Sequence, residues 1–248
     1  MCSLLHPLYL RYISAISPLY LPYISPTSPR QVCSLLGNVS KHGDDFYAHM
    51  LAAGLLPLLV DGCADADGAT RKLACFAVGN AGFHSAVLYE HLGPAVPALV
   101  RCLCDEDAKT RANAAGALGN LVRNGPRLCG ELLEHGAAAE LLGLARRARP
   151  ARASAPPRAG RAKREPEREG RGGAEVARAA DPADVAAARI ALFSLGNLAA
   201  HPRCREALQA LGLPAQLAEL ECLDSTLLKY SRRIAHKLEH ARPDTEGA

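Results

Sequence analysis

Apolar residues recur along most of the chain with the period of an α-helix. Between residues 69 and 80 they follow the i, i+3, i+4 spacing of one helical face and end at Asn80. Aromatic residues make up only 4% of the sequence and Trp is absent, while Ala and Leu dominate the apolar positions. Small side chains suit closely packed helices better than a β-sandwich. The pattern predicts an all-α protein.

Gly, Pro and acidic turns divide these helical stretches into units of three. In the first complete unit, a short helix over residues 44–53 ends at Gly54, and a second begins at residue 55 with Pro57 in its first turn. An acidic turn at residues 65–68 precedes the third and longest helix. The same order recurs over residues 86–122 and 204–240, and residues 127–145 begin another copy. The chain therefore repeats a three-helix unit.

Each third helix before the last unit ends in the same pair of residues. The pairs are Gly37-Asn38, Gly79-Asn80, Gly119-Asn120 and Gly196-Asn197. Their Asn residues are 42, 40 and 77 positions apart, and removing the 37 residues 146–182 from the last interval leaves 40. A fixed period of about 40 residues is typical of a solenoid of stacked helices. One repeat is thus expected to carry an insert between its second and third helices.

Composition separates the repeats from the rest of the chain. The predicted divisions are a disordered, low-complexity extension at 1–30, repeats at 31–145, a disordered insert at 146–182, completing and final repeats at 183–242, and a tail at 243–248. The insert is rich in Arg, Ala, Pro, Gly and Glu, so it cannot bury enough apolar surface to offset the entropy of ordering. It carries a surplus of six positive charges, whereas the whole chain has a net charge of +4.

Cysteine spacing and the known catalytic motifs give no sign of chemistry. The nine Cys residues are spread singly, without CxxC pairs or zinc-type Cys/His spacing, so we expect reduced, mostly buried thiols and no metal or cofactor. A phosphate-binding Gly-rich loop and the other kinase signatures are absent from the sequence, so no catalytic residue is expected. Residues 1–30 lack the features of a signal peptide or a membrane anchor.

The three-helix unit resembles the armadillo repeat, whose third helix ends in a Leu-x-Asn-Leu phrase. Residues 118–121 and 195–198 match that phrase. The runs 71–80, 109–124 and 191–198 are more specific, and they resemble the carboxy-terminal repeat region of the Fused family of serine/threonine kinases. The resemblance implies an armadillo/HEAT-like, right-handed superhelical solenoid. It also implies a non-catalytic scaffold within a parent that is an ATP-dependent kinase.

The same resemblance suggests a cellular setting. Members of the family act in Hedgehog signalling or in assembly of the central pair of motile cilia, and plant relatives act in cytokinesis. We therefore expect a cytoplasmic protein, with the cilium or the nucleus as further compartments, and not a secreted one. The expected partners are proteins, bound as an extended peptide or as a domain, with no membrane association. The alternatives are a generic armadillo adaptor, or nucleic-acid or microtubule binding through the basic insert.

The resemblance also points to binding residues. In peptide-binding armadillo proteins the third-helix Asn lies on the concave face and holds the peptide backbone, with a Trp four residues earlier. Asn38, Asn80, Asn120 and Asn197 match the Asn, and Phe76 and Phe193 supply an aromatic ring at two of the Trp positions. Ser34 and Gly116 occupy the other two, so half of the aromatic row is missing. An equal alternative is that the Asn side chains bond neighbouring backbone and that each Gly permits close helix contact.

Basic residues recur near the third helices. They are Arg71, Lys72, Lys109, Arg111 and Arg123. They form either a basic stripe for acidic peptides or, as the favoured interpretation, a solvated face. In the insert, glutamates at 165, 167 and 169 alternate with the basic residues and aromatic rings are absent, which disfavours nucleic acid.

Overall fold

The computed structural model describes residues 28–148, 181–220 and 225–239. The predicted tail and most of the predicted extension and insert lie outside these ranges, so their boundaries stay predictions, although residues 28–30 of the extension belong to the first helix. The described helices are α1 (Ser28–Ser40), α2 (Tyr47–Ala52), α3 (Leu56–Gly62), α4 (Gly68–Ala81), α5 (Tyr89–Leu92), α6 (Val96–Cys102), α7 (Ala108–Asn120), α8 (Cys129–Glu134), α9 (Ala137–Arg146), α10 (Pro182–Leu198), α11 (Pro202–Ala210), α12 (Leu213–Leu220) and α13 (Ser225–Glu239). Strands are absent from the described ranges.

The long third helices form the spine of the fold. Helices α1, α4, α7, α10 and α13 pack side by side in chain order, and the most extensive helix contacts join α1 to α4, α4 to α7 and α7 to α10. The first and second helices of each unit pack behind them, as α3 does against α4 and α6 against α7. Because each unit contacts mainly its neighbours, the described chain is a repeat solenoid.

Aspartate fixes the start of the third helices. Asp67 and Asp107 have extended backbone at the N-cap, and their carboxylates accept bonds from the Thr70 and Thr110 amides at 3.0 and 3.2 Å. The same Thr residues also donate their hydroxyls, at 2.8 and 3.0 Å. Asp181 caps α10 in the same way through the Ala183 amide. Each cap satisfies donors that a helix N-terminus leaves without an intrahelical partner.

A left-handed glycine ends the first helix in three of the four units, and Gly93 is the exception. Gly54, Gly136 and Gly212 have φ between +64 and +73°, a conformation that glycine adopts without steric cost. Gly93 instead keeps a right-handed φ of −48°, and a 3₁₀ turn at Gly93–Ala95 leads directly into α6. A Cβ on Gly93 would lie 2.9 Å from Glu131 Oε2 and 3.1 Å from Leu128 Cδ2. The sequence pattern predicts a helix stop here, whereas the glycine serves close contact with the next repeat.

A continuous core of Leu, Ala, Val and Cys side chains runs through the described repeats. Among the described thiols, Cys33, Cys63, Cys75, Cys102, Cys129 and Cys204 are buried and Cys104 is exposed. Burial raises the pKa of the Cys33 thiol to about 11, which keeps that thiol protonated and weakly nucleophilic at neutral pH. Within residues 28–148, 181–220 and 225–239, no group of three or more His, Cys, Asp or Glu side chains is arranged to hold a metal ion.

Candidate protein-binding face

The candidate residues lie along one surface of the stacked third helices. Counting back from each signature Asn, residues four, seven, eight and eleven positions earlier share its side of the helix. We call this surface the third-helix face. Asn38 is exposed, Asn80 and Asn120 are half-buried, and Asn197 is buried. Phe76 and Phe193 are half-buried. All six candidate positions therefore fall on one surface, and their exposure falls toward α10.

Three of the four Asn side chains join neighbouring repeats. The Nδ2 atoms of Asn80 and Asn120 donate to the carbonyls of Gly37 and Gly79, each at 2.8 Å. Asn197 donates in the same way to Gly119 at 3.1 Å. The signature thus bonds to itself, because the Asn of one repeat donates to the Gly of the repeat before it. We call these contacts the inter-repeat hydrogen bonds.

The first and last third helices differ from the others: α13 makes the contact through a different donor, and the Asn of α1 bonds within its own helix. On α13 the donor is Lys237, whose Nζ lies 2.5 Å from the Gly196 carbonyl oxygen. Burial, with a contribution from nearby Arg233, lowers the pKa of Lys237. On α1, Asn38 has no earlier described helix to bond and donates to the Ser34 carbonyl in its own helix at 2.9 Å. The register of the contact therefore extends over all five third helices.

Two of the signature glycines, Gly37 and Gly119, are required by the closeness of the helices. A Cβ added at Gly37 would lie 2.7 Å from Phe76 Cδ1, and one at Gly119 would lie 2.3 Å from Ser194 Oγ and 2.7 Å from Ser194 Cα. Such distances are shorter than any real Cβ contact. At Gly79 the nearest atom would be Ala117 Cα at 3.4 Å. Close approach at these points brings each glycine carbonyl within reach of the next Asn.

These contacts also satisfy the ends of the third helices. The last carbonyls of a helix have no intrahelical donor. The Asn80 carbonyl accepts from the Tyr47 hydroxyl at 3.2 Å, and the Asn120 carbonyl accepts from the Tyr89 hydroxyl at 2.5 Å. In both of these Gly-Asn pairs, a Tyr from the first helix region of the same unit therefore bonds the Asn carbonyl. The Gly carbonyl is bonded by the Asn side chain of the next unit. Burial is the main cause that raises the pKa of Tyr47 to about 12, so this donor stays protonated.

A second row of inter-repeat contacts lies four residues beyond each Asn. His84 Nε2 is 3.2 Å from the Lys41 carbonyl, Asn124 Nδ2 is 3.0 Å from the Phe83 carbonyl, and His201 Nε2 is 2.5 Å from the Val122 carbonyl. This row is not among the residues predicted from the sequence. The available signal is the recurrence of His or Asn at a constant offset from the signature, in residues 42, 84, 124 and 201.

These bonds limit how the Asn side chains meet a ligand. The amide nitrogens of Asn80, Asn120 and Asn197 are already engaged, as the structural alternative in the sequence analysis expects. The Oδ1 atom of Asn120 has no hydrogen-bond partner and is buried. An amide oxygen can accept from a peptide N–H group, but a peptide reaches this buried atom only if the Asn120 side chain moves. Peptide binding by the Asn residues stays a prediction.

Two residues of the expected basic stripe form ion pairs between repeats. Arg71 pairs with Asp105 at 2.8 Å, and Arg111 pairs with Asp184 at 2.5 Å. Each Arg also donates to two carbonyls of the loop before its own helix, at 2.8 to 3.0 Å. Their guanidinium groups therefore fasten the loop and the next repeat rather than facing solvent.

The other three basic residues stay accessible. Lys109 and Arg123 are exposed, and Arg123 stacks over the Phe83 ring at 4.1 Å from its centroid. Lys72 is 36% exposed at its side chain and lies 3.4 Å from Asp107. An ion pair this exposed contributes little free energy. The structure thus divides the stripe into two connectors between repeats, of which Arg111 is buried and Arg71 half-buried, and three more accessible cations.

The part of the face formed by α10 and α13 is the most apolar. The Phe193 and Tyr230 rings meet edge to face with centroids 6.3 Å apart, and both side chains are half-buried. Ile190, also half-buried, lies seven positions before Asn197 and reaches over α7, where its Cγ2 would be 3.5 Å from a Cβ on Gly116. We call Ile190, Phe193 and Tyr230 the aromatic patch. Ile190 therefore lies over Gly116, the position on α7 where the aromatic row lacks a ring.

A profile of the HEAT-like repeat family matches residues 69–121. Two curated relatives, both serine/threonine-protein kinase 36, from Pongo abelii and Mus musculus, are 41% identical over 88 residues. That match covers 35% of this chain and 7% of each relative, so the chain corresponds to a small part of their length. The resemblance expected from the third-helix runs is therefore confirmed as a partial match. It is consistent with a repeat region that carries no kinase domain.

Solved structures resemble the whole fold. A designed armadillo repeat protein in complex with the peptide (KR)4 gives a TM-score of 0.71 at 18% identity, covering 93% of this chain and 84% of that one. A related design without a peptide in its description gives 0.67 at 18% identity, covering 92% and 81%. At such identities the likeness shows the fold alone. No described helix is long and apolar enough to span a bilayer. The chain is an all-α solenoid of armadillo/HEAT-like repeats, similar over about a third of its length to serine/threonine-protein kinase 36.

Proposed function

We propose that this chain is a non-catalytic scaffold that binds an extended protein segment along the third-helix face. The observation that carries the proposal is a row of Asn side chains at one-repeat intervals on four of the five stacked third helices, with Phe76, Phe193 and Tyr230 on the same surface. An extended peptide has a backbone group every few ångströms, so regularly spaced side chains on a rigid array suit it.

The structural neighbours add support to this assignment. The peptide (KR)4 is bound by the designed armadillo protein of the same fold, so the architecture accommodates an extended chain. The aromatic patch offers a half-buried, partly accessible apolar and aromatic surface, the kind that binding sites on proteins favour. Phosphotransfer would require groups that the recognised kinase motifs supply, and the proposal assigns no chemistry to this chain.

The cellular role follows from resemblance and forms part of the proposal. Similarity to serine/threonine-protein kinase 36 and to the Fused family supports a scaffold that lies beside a kinase in a longer parent protein. Its partner would then belong to Hedgehog signalling or to assembly of the ciliary central pair. The competing proposal, binding of nucleic acid or microtubules by the basic insert, depends largely on residues outside the described ranges.

The experiment that tests the scaffold function is selection from an unbiased library of displayed random peptides. The selected peptides should bind the purified chain, and Phe76→Ala combined with Phe193→Ala should weaken them. We expect a loss of about tenfold or more, because each ring contributes apolar contact area at the centre of the face. The matched control is Val87→Ala with Leu211→Ala, two exposed apolar residues away from the third helices.

Thermal unfolding by circular dichroism verifies that both double variants are folded. Failure to select any peptide would contradict the scaffold function. Peptides that are lost with the Val87 and Leu211 variant but kept with the Phe76 and Phe193 variant would place binding on a different surface.

A further inference from the structure

A column of basic residues follows the same register as the inter-repeat hydrogen bonds. The position eight residues before each donor is Arg30 on α1, Lys72 on α4, Ala112 on α7, Arg189 on α10 and Lys229 on α13. Four of the five are basic, and the residues recur at the intervals of the repeat itself. Helical geometry places this position on the third-helix face. The charge is therefore a property of the repeated surface.

Acidic residues are absent from this face in the described third helices. None of the positions zero, four, seven, eight or eleven residues before a donor is Asp or Glu, within residues 28–40, 68–81, 108–120, 182–198 and 225–239. The nearest carboxylates are the N-caps Asp67 and Asp107 beside α1 and α4, and Asp184, which pairs with Arg111. At the α4 end the caps therefore compensate part of the positive charge.

The balance differs where α10 meets α13. Lys229 and Arg233 are exposed, and Lys237 and Arg189 are half-buried. These four cations share the third-helix face with the aromatic patch, because they lie zero, four or eight positions before the donors Asn197 and Lys237. The acidic residue on the described part of α13 is Glu239, two positions beyond Lys237 and exposed. This end of the face thus combines a half-buried apolar surface with an excess of positive charge.

We propose that the α10–α13 end of the third-helix face binds an acidic peptide, with one large apolar side chain on the aromatic patch and flanking Asp or Glu residues against the surrounding cations. This inference rests on the proposed scaffold function and names the chemistry of its partner. Carboxylates gain charge-assisted hydrogen bonds from Arg and Lys, while the apolar residue gains by leaving water.

Two other occupants fit the surface poorly. Another stacked repeat would need a small residue at the glycine position of α13, where this chain has the exposed His236. A second copy would meet like charge, because the third helices together carry ten basic and two acidic residues. The complementary chemistry is therefore an acidic segment of another protein.

Fluorescence anisotropy with a labelled probe peptide tests the inference. The probe is a single Phe flanked by Glu on both sides, and the opposite probe is (Lys-Arg)4. We expect the acidic probe to bind and its affinity to fall as salt rises, since the rim contacts are ionic. Lys229→Glu with Arg233→Glu should reduce that affinity by roughly tenfold to a hundredfold, as expected for two charge reversals.

The matched control variant carries the same change in net charge elsewhere. Arg101→Glu with Arg147→Glu reverses two exposed cations, on α6 and just after α9, and should leave the affinity unchanged. A probe with Ser in place of Phe should bind more weakly, which separates seating on the aromatic patch from general attraction. Melting curves establish that the variants fold.

Several results would overturn the proposal. They are tighter binding of (Lys-Arg)4, equal losses in both double variants, or indifference to the Phe-to-Ser change. Stronger, equally variant-sensitive binding of duplex DNA or of anionic lipid vesicles would assign the surface to those ligands instead. Neutral or basic peptides selected on the third-helix face would defeat this inference while leaving the scaffold function intact.

Discussion

At the scale of single residues, the Gly-Asn pair joins the repeats through two complementary properties. The missing Cβ of glycine lets the next helix approach, and the carbonyl exposed by that approach accepts from the next Asn. Gly79 accepts from Asn120, and Gly119 accepts from Asn197. Each residue therefore depends on the pair in an adjacent repeat, which explains why the two occur together.

Replacing Gly119 by Ala should destabilise the fold by about 1–3 kcal/mol, the usual cost of overpacking. The new Cβ would meet the Ser194 backbone at 2.7 Å, so rotation of a side chain cannot relieve the overlap. Urea unfolding followed by circular dichroism measures the change. The control is Gly143→Ala in α9, where a Cβ has no neighbour within 4 Å and helix propensity should add about 0.5–1 kcal/mol. Equal effects at both positions would contradict the close-approach argument.

Replacing Asn120 by Ala should cost about 1–2 kcal/mol, because the Gly79 carbonyl loses its donor at the end of a helix. The same substitution at Asn38 removes only a bond within its own helix at an exposed site. That variant should stay within about 0.5 kcal/mol of the wild type. Comparison of the two unfolding free energies separates the inter-repeat bond from the side chain itself. A cost at Asn38 as large as at Asn120 would count against the inter-repeat role.

At the scale of elements, α4, α7 and α10 each start with an Asp carboxylate that caps the helix. Burial acts to raise the pKa of Asp107, but the Thr110 hydroxyl and nearby Lys72 outweigh it and the pKa lies below the ordinary 3.8. The pKa of Asp67 is also lowered, mainly by the Thr70 hydroxyl. A lowered folded-state pKa means that the ionised cap stabilises the folded state above the unfolded-state value. This contribution is lost as the pH falls through the folded-state value.

Substitution of Asp107 by Ala should therefore cost about 1 kcal/mol near neutral pH, the usual value of an N-cap. The difference from the wild type should shrink as the pH falls below 3.8 and through the lowered folded-state pKa, because the wild-type carboxylate is then protonated. Unfolding free energies at several pH values test this. Asp107→Asn keeps an N-cap acceptor without the titrating group and should retain most of the stability at neutral pH. A cost for the Ala variant that does not change with pH would exclude the ionised carboxylate as its cause.

At the scale of the whole molecule, α9 and α10 pack together although 32 residues outside the described ranges separate residues 148 and 181. The sequence predicts that this segment is a disordered insert. Replacing residues 149–180 by a Gly/Ser linker of about eight residues shortens the connecting segment to a quarter of its length, which is two halvings. Loop-closure entropy should then raise the unfolding free energy by roughly 1.2 kcal/mol.

Chemical unfolding of the shortened chain measures this change. A control linker of the original length should match the wild type. A large loss of stability with both linkers would show that the segment packs against the repeats, contrary to the prediction from its composition.

Much of the fold is predictable from the sequence because the repeat presents the same local signals several times. Acidic turns before the third helices and the 40-residue register are local features, and the structure places caps and helices at them. The Gly93 contact was not predictable, because whether a glycine ends a helix or admits Glu131 depends on the neighbouring repeat. The site was predictable only in outline. The offsets of Asn and Phe follow from helical period, but the partner of each Asn amide does not.

The basic residues show the same division. Arg71 and Lys72 are adjacent in sequence and equal in charge, yet Arg71 pairs with Asp105 at 2.8 Å, whereas the more exposed Lys72 lies 3.4 Å from Asp107. A rotation of about 100° per residue around the helix separates them, and only the neighbouring repeat determines which side is buried. The sequence by itself determined the helical class, the repeat period and the positions that share a face, because these depend on local spacing. Tertiary structure decided which side chains join repeats and which remain free for a partner, because that depends on what lies across the interface.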